Sequence, residues 1–271
     1  EKGAFLEHLG ASLAARISSF EPEHITALRL FNGFYEGQPE LVVDIYARTL
    51  VLYGYARTPE ASAELLAVAQ TFYLERLPWV DCVVQKIRSA QDPALRRGRV
   101  TFGGPPARQV SEHGVFYALD LLMNQDCSFY LDTRHLRLWL LERAAGWRVL
   151  NTFAYTGSLG VAALAGGAAR VVQVDRSAKF LALAQRSAEL NRLDNAKMEL
   201  RAADFFSAVA HYKRQAALFD CVILDPPFFS STQKGRVDLV GQSARLINKL
   251  RPLVRHGGYL IAINNALFLT G

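Results

Sequence analysis

The stretch VLNTFAYTGSLGVAALAGGAARVVQVD, residues 149–175, carries the pattern that decides the fold. It contains a short apolar strand at 149–151, a glycine-bearing turn, a helix at 158–165 and a second apolar strand at 170–174. Two apolar strands joined by one helix predict a parallel βαβ unit. Ligands of such sheets bind beyond the carboxyl ends of the strands, so the residues after each strand are the first candidates for function.

The same alternation continues on both sides of this stretch. A helix at 133–145 precedes it, and Gly146 ends that helix. Downstream, strands are predicted at 198–201, 219–224 and 259–263, and helices at 177–192, 205–212 and 239–250. Five apolar strands alternating with helices predict an α/β fold with a parallel sheet covered on both faces.

The region before residue 130 has a different pattern. Helices are predicted at 4–20 and from Pro59 to near Pro78, and strands at 27–31, 41–45, 50–55 and 80–87. We therefore expect three parts: an N-terminal helix at 1–25, a small α/β domain at 26–128 and the parallel-sheet domain at 129–271.

Composition excludes several classes of protein. Of the 271 residues, 51% are hydrophobic and 21% charged, which excludes a disordered chain. No apolar run is long enough to span a membrane, and no signal peptide is visible, so a cytoplasmic setting is expected. Three cysteines far apart exclude a disulfide scaffold and a zinc site of the usual spacing. The chain lacks an initiator Met, as a fragment would.

The net charge of +6 permits a polyanionic partner. The stretch 86–108 holds six basic residues against the single acid Asp92: Lys86, Arg88, Arg96, Arg97, Arg99 and Arg108. Two interpretations stay open, a solvated loop and a surface that contacts phosphates.

The loop after the first strand runs from Asn151 to Ser158. It leads into a helix N-terminus, as nucleotide loops do, but of a GxGxxG motif only Gly157 and Gly160 are present. No GK[ST] ending follows. The loop favours a nucleoside-like ligand without phosphates, although a plain strand-to-helix turn has the same pattern.

Acids follow the next three strands. Asp175 is placed to bind ribose hydroxyls, or to stabilise the helix N-terminus that follows it. Asp204 with Phe205 is placed to bind adenine, or Asp204 caps a helix. Asp225 precedes two prolines and two phenylalanines. The prolines stiffen this loop, and its composition favours binding of a planar base over a purely structural role in packing. Together these groups predict a site for S-adenosylmethionine.

The segment 151–265 resembles the class I S-adenosylmethionine-dependent methyltransferases, whose catalytic domain is Rossmann-like. More narrowly, it resembles bacterial 23S ribosomal RNA large-subunit methyltransferases of the 5-methylcytosine and 7-methylguanosine branches. The sequences FNGFYEGQPELVVD (31–44), EHG (112–114) and FYLDTR (129–134) extend the resemblance upstream.

The resemblance implies roles for the domains and for individual residues. The small domain at 26–128 would bind the RNA substrate, and the domain at 129–271 would be the methyltransferase domain. Its cofactor would be S-adenosylmethionine, released as S-adenosylhomocysteine, with no metal. The implied cofactor-binding residues are Phe129, Asp132, Arg134, Asn151, Thr152, Phe153, Ala154, Tyr155, Thr156, Gly157, Ser158, Asp175, Arg176, Ser177, Asp204, Phe205 and Asp225. The implied catalytic residues are Asp225, Pro226, Pro227, Phe228, Asn264 and Asn265.

The chain departs from this family in three ways. Because only about 25 residues precede the small domain, we expect no N-terminal PUA domain, and we expect the sixth and seventh strands of the fold to be missing or to lie outside the chain. Methylation of cytosine at ring carbon 5 needs a thiolate nucleophile. The family's cysteine after the fifth strand is replaced here by Asn264 and Asn265, as in the branch that methylates guanine at nitrogen 7.

The sequence therefore predicts a methyltransferase that acts on a base of ribosomal RNA by direct transfer, with guanine nitrogen 7 favoured. A homodimer is possible, and no membrane partner is expected. The alternatives are a cytosine carbon-5 methyltransferase, a methyltransferase of a protein or small molecule, and a non-catalytic RNA-binding module.

Overall fold

The computed structural model describes residues 2–227, 229–232 and 235–264. The chain divides into two compact units, Glu1–Leu131 and Asp132–Gly271, referred to below as the N-terminal and C-terminal units. The predicted α/β class with a parallel sheet is confirmed. The predicted domain limits at residues 25 and 128 stay a prediction.

The N-terminal unit is built on a five-stranded mixed sheet. Its strands, in their order across the sheet, are β1 (Ala27–Phe31), β2 (Leu41–Tyr46), β3 (Thr49–Gly54), β4 (Cys82–Ile87) and β5 (Arg99–Gly103). Its helices are α1 (Lys2–Arg16), α2 (Pro59–Arg76) and α3 (Pro93–Arg97). A separate hairpin pairs β6 (Gln109–Glu112) with β7 (Val115–Ala118). Only β3 and β4 run parallel, because α2 connects them.

Helices α1 and α2 cover one face of this sheet with apolar side chains. Leu9 of α1 and Leu66 of α2 are fully buried in one cluster with residues of β1 to β4. Helix α2 begins where expected, because Pro59 occupies its first position and the Thr58 hydroxyl accepts from the amide of Ala61. Helix α1 ends at Arg16 and passes into a short 3-10 turn, four residues before the predicted end.

One basic residue of the stretch 86–108 is not at the surface. The side chain of Lys86 is fully buried, and its Nζ donates to the carbonyls of Arg97 (2.6 Å) and Asn124 (2.8 Å). Burial lowers the pKa of this amine. The interpretation of Lys86 as a phosphate contact is therefore wrong, because its amine is turned inward to bind the backbone.

The C-terminal unit follows the predicted alternation. Its helices are α4 (Arg134–Arg143), α5 (Ser158–Ala165), α6 (Ala178–Leu190), α7 (Phe205–Arg214) and α8 (Leu239–Leu250). Its strands are β8 (Arg148–Thr152), β9 (Arg170–Asp175), β10 (Met198–Ala202), β11 (Phe219–Leu224), the short pair β12 (Phe229–Thr232) and β13 (Gly235–Asp238), and β14 (Val254–Ala262).

The main sheet of this unit has the order β10-β9-β8-β11-β14, with every neighbouring pair parallel. Apolar residues of α4, α5 and α6 pack in one cluster with β8, β9 and β11, and those of α7 and α8 pack in another. The strand order reverses between β8 and β11. Such a reversal opens a crevice for a ligand at the carboxyl ends of these two strands.

A carboxylate in the edge strand β10 accepts hydrogen bonds from three side chains. Glu199 of β10 accepts hydrogen bonds from Arg170 (2.8 Å), Arg201 (2.9 Å) and the Tyr212 hydroxyl (2.7 Å). Partial burial would raise the pKa of Glu199, but these three donors outweigh it and lower the pKa to about 2.

We expect Glu199→Gln to lower the free energy of unfolding by about 1 kcal/mol at neutral pH, a value reduced for solvent screening. Because the folded pKa lies below the ordinary value of 4.5, the stabilisation exists above pH 4.5 and disappears as the pH falls towards 2. Thermal melts followed by circular dichroism at several pH values measure it. Glu189→Gln, an exposed acid on α6, is the control. An equal loss at pH 7 and at pH 2 would contradict this assignment.

Candidate functional site at the carboxyl ends of the strands

The register of the sheet brings the predicted site segments to one edge. Asp175 pairs with Ala202 on one side, and Thr152 pairs with Val174 and Leu224 on its two sides. Backbone hydrogen bonds continue past the strand ends, from Ala154 to Val174 and from Ile263 to Leu224. The residues that follow all five strands therefore lie next to one another.

The loop at 153–157 has an unusual backbone. Phe153, Tyr155 and Gly157 all have positive φ angles, of 55°, 52° and 77°. A left-handed conformation costs a residue with a side chain about 1 kcal/mol or more. At position 157 a Cβ would also lie 2.6 Å from Nε2 of Gln173, so only glycine fits. The loop is thus held in a definite shape by its surroundings.

A buried polar network beneath the loop holds that shape. The side chain of Gln173 in β9 is fully buried, and its Nε2 donates to the carbonyl of Gly157 (3.0 Å). Its Oε1 accepts from Nδ2 of Asn151 (2.9 Å). The sequence pattern did not single out Gln173, although a glutamine inside the apolar strand VVQVD was a signal that could have identified it.

Two of the residues predicted to bind the cofactor are buried beneath the loop. Asn151 and Thr152 are buried, and the Thr152 hydroxyl donates to the carbonyl of Ile223 (2.7 Å). Their side chains therefore support the loop from below. The predicted contact of these two residues, and of Ala154, Thr156 and Ser158, with a cofactor stays a prediction.

Asp175 connects the loop to the next helix. Its Oδ2 accepts from the amide of Tyr155 and its Oδ1 from the amide of Ser177, both at 2.9 Å. The carboxylate is half-buried, which raises its pKa, and the amides of Ser177 and Tyr155 oppose the rise. A carboxylate offers about four acceptor positions, so it can bind both amides and still accept from hydroxyl groups.

Two neighbours of Asp175 were also predicted to bind the cofactor. Ser177 is the N-cap of α6, with its hydroxyl accepting from the amide of Phe180 (3.3 Å). Arg176 is exposed. Asp175, the last residue of β9, accepts from the amide of this N-cap residue, so the helix-stabilising interpretation of Asp175 is compatible with the ribose-binding one.

Asp204 and Phe205 begin α7. The Asp204 carboxylate accepts from the amide of Ser207 (3.1 Å) and from the Ser207 hydroxyl, which makes it the N-cap of the helix. Phe205 is buried, and its ring stacks on that of Phe153 with 5.0 Å between centroids. The stack occupies one face of Phe205 and ties α7 to the loop. The predicted adenine contact stays a prediction.

The proline loop follows β11. Asp225 is half-buried, Pro226 buried and Pro227 exposed. Since Leu224 pairs with Ala262, Asp225 lies beside the chain that leads from β14 to the exposed Asn264. Phe228 and Asn265, predicted here as catalytic residues, lie outside the described residues.

Three predicted cofactor contacts lie before the C-terminal sheet. Phe129 belongs to the N-terminal unit, where it is buried and its carbonyl accepts from the Tyr46 hydroxyl (3.1 Å). Asp132 and Arg134 belong to the C-terminal unit, exposed and half-buried respectively. Their contact with a cofactor stays a prediction.

Within the part of the chain that the structure describes, no cluster of three His, Cys, Asp or Glu side chains could hold a metal ion. No described helix is both long and apolar enough to cross a bilayer.

A five-stranded parallel sheet of this order, with acids at its carboxyl edge, defines a Rossmann-like protein that binds a nucleoside-containing cofactor. Residues 100–269 match the family of S-adenosylmethionine-dependent methyltransferases, and the chain belongs to that family. The recognition made from the sequence motifs is confirmed.

Two curated relatives are similar over most of the chain. Both are called ribosomal RNA large subunit methyltransferase I. The protein of Serratia proteamaculans (strain 568) is 33% identical over 238 residues, which cover 87% of this chain and 60% of the relative. The protein of Enterobacter sp. (strain 638) is 33% identical over 251 residues, 91% of this chain and 62% of the relative. The chain thus spans about three fifths of their length.

The fold is also similar to a solved structure. SMU.776, assigned as a methyltransferase and crystallised in complex with SAH, superposes with a TM-score of 0.89 at 26% identity. The superposition covers 99% of this chain and 69% of that one. The Rossmann-like fold class is thereby confirmed.

The described residues fit the cofactor of this family. Asp175 retains acceptor capacity for a ribose diol beyond its two amide bonds. The loop at 153–157 lacks the paired glycines that a pyrophosphate needs, and S-adenosylmethionine has no phosphate.

Proposed function

We propose that this chain is the catalytic part of an S-adenosylmethionine-dependent methyltransferase that modifies a base of ribosomal RNA. The observation that supports this most is the alignment of Asp175, the 153–157 loop and Asp225 along one sheet edge. The names of the curated relatives support RNA as the substrate.

The bound cofactor supplies an electrophilic methyl group on a sulfonium. Asp175 would hold the ribose, the segment 151–158 would surround the methionine part, and Asp204 with Phe205 would border the adenine. Asp225 binds the edge of the target base. Pro226 and Pro227 stiffen the loop that carries Asp225, and as prolines they add no amide donors that would compete for its carboxylate.

We further propose guanine nitrogen 7 as the acceptor, by direct transfer. This nitrogen has a lone pair and carries no proton, so no side chain has to remove one. Methylation of this nitrogen would leave the purine with a positive charge. A half-buried carboxylate at Asp225 suits such a base. Asn264 is proposed to assist it, as are Phe228 and Asn265, which lie outside the described residues.

The placement of the cysteines supports direct transfer. Cys221 is fully buried inside β11, and burial raises its pKa to about 12. Cys127 is buried in the N-terminal unit, where burial raises its pKa to about 11 and its sulfur accepts from the Tyr53 hydroxyl. Cys82 lies buried in β4. A covalent mechanism needs an accessible thiolate, and none of these three is one.

We expect Cys221→Ala and Cys127→Ala to methylate ribosomal RNA within about threefold of the wild-type rate, because neither thiol takes part in the chemistry. Transfer of a labelled methyl group measures the rate, and mass mapping of the RNA identifies the nucleoside. Cys82→Ala is the matched control.

A 7-methylguanosine product with no protein–RNA adduct on 5-fluorocytosine RNA would agree with the proposal. A 5-methylcytosine product, or an adduct that disappears with one of the cysteines, would contradict the target atom. Labelling of protein or of a small molecule in place of RNA would overturn the substrate class.

A further inference from the structure

We propose that the amino edge of the C-terminal sheet, opposite the cofactor edge, binds the phosphate backbone of the RNA. This inference rests on the proposed function. It assigns a second contact surface, remote from methyl transfer, for an RNA substrate long enough to reach it.

The charge of the chain is divided unequally between the two units. The C-terminal unit has 19 lysines and arginines against 10 acids, a net charge of +9. The N-terminal unit has 12 against 15, a net charge of −3. A polyanion is therefore attracted to the C-terminal unit, although the N-terminal one was expected to bind RNA.

Strand register places three of these cations in a row. Arg148 and Arg170, the first residues of β8 and β9, are direct partners across the parallel pair. Lys197 directly precedes Met198, whose partner is Val171, so Lys197 lies beside Arg170. All three are exposed. Neighbouring strands are about 4.8 Å apart, so the row extends over about 10 Å.

Helix α7 adds cations to the same edge. It ends just before β11 begins, and its last turn carries the exposed Lys213 and Arg214. Cations are favoured at helix C-termini, which accounts for these two residues but not for the three at the strand starts.

Nearby acids neutralise only part of this charge. Glu199 binds Arg170, and Asp220 binds Arg255 (2.6 Å) and the backbone amide of Arg148. Asp194 is exposed near Lys197. The guanidinium of Arg148 lies 5.6 Å from the centre of the Phe219 ring. The row thus keeps a positive excess, and guanidinium groups suit phosphate oxygens.

The distance between the cofactor edge and the amino edge of the sheet determines how large an RNA must be to contact both. Strand β8 has five residues, which span about 17 Å at 3.3 Å per residue. A short oligonucleotide around the target base stays at the cofactor edge. An RNA stem that carries the target in a loop can reach both edges.

The test is the triple variant Arg148→Gln, Lys197→Gln, Arg214→Gln, which leaves the Arg170–Glu199 pair intact. The control is Arg97→Gln, Arg99→Gln, Arg108→Gln, which removes the same charge from exposed positions of the N-terminal unit. Affinity for a long ribosomal RNA fragment and for a short target oligonucleotide is measured at several salt concentrations, with circular dichroism as a check of folding.

We expect the first triple variant to bind the long fragment about tenfold more weakly at 0.15 M salt, with a salt slope reduced by two to three. Methylation of the short oligonucleotide and affinity for S-adenosylmethionine should not change. The substitutions Arg148→Lys and Lys197→Arg, which keep the positive charge, should leave the affinity for the long fragment at the wild-type value.

If the first triple variant and the wild type had equal affinity for the long fragment and equal salt slopes, this inference would be overturned and the proposed function would stand. A loss of affinity seen only in the control triple variant would have the same meaning. The inference would also be overturned if the row of Arg148, Arg170 and Lys197 bound phosphatidylserine vesicles and did not bind RNA. Failure of the wild type to bind or methylate any RNA would overturn the proposed function instead.

Discussion

Replacing Asp225 with alanine should reduce the rate of methyl transfer to RNA at least 100-fold and leave the affinity for S-adenosylmethionine within a few-fold of wild type. Asp225 is half-buried at the end of β11, beside the chain leading to Asn264. A positioned polar group that meets charge developing in a transition state contributes about 100- to 1000-fold to the rate. The proposal gives Asp225 that position opposite the target base.

The measurements are single-turnover transfer of a labelled methyl group and calorimetric titration with the cofactor. Asp220→Ala is the matched control, because Asp220 is the second residue of the same strand, at the opposite edge, where it binds Arg255. It should retain transfer. Full activity of Asp225→Ala would refute the assignment, and loss of cofactor binding in that variant would move Asp225 to the cofactor site.

Asp175→Ala should weaken the binding of S-adenosylmethionine about 100-fold. The substitution removes the acceptor for the ribose and also the two acceptors that join Tyr155 to Ser177. A hydrogen bond to a charged group contributes about 1.5–3 kcal/mol, and two or more such bonds are lost. Asp175→Asn should lose nearly as much, because its amide NH₂ would face one of two backbone donors.

Titration calorimetry and thermal shift with the cofactor measure this loss. Because burial raises the pKa of Asp175, cofactor affinity should fall on acidification at a higher pH than for an ordinary aspartate. Asp194→Ala is the control, an acid that caps the 3-10 turn after α6 through the amide of Ala196. Unchanged affinity in Asp175→Ala would exclude Asp175 from the cofactor site.

The sequence predicted the parts of the fold that depend on local signals. The strands of the parallel sheet are apolar runs, and Asp204, which was predicted as a capping residue, is the N-cap of the amphipathic helix α7. Strand β5 was not predicted, because it is an edge strand whose residues are mostly exposed and alternate poorly. The hairpin of β6 and β7 was missed because each strand has only four residues.

The site was predicted as a set of positions after strands and not as a network. Gln173 shows why, and Lys86 of the N-terminal unit, which is not part of the site, shows the same limit. Each is a polar residue inside a buried strand, and its role depends on partners 11 to 38 residues away. Such pairing depends on tertiary structure, which periodicity and capping rules do not encode.

The left-handed residues at 153, 155 and 157 have a consequence for how the cofactor arrives. The backbone of this loop already has the conformation that Gln173 and Asp175 impose on it, so little chain freedom remains to be lost on association. Cofactor binding should then cost little backbone conformational entropy, and the association rate should change little with temperature.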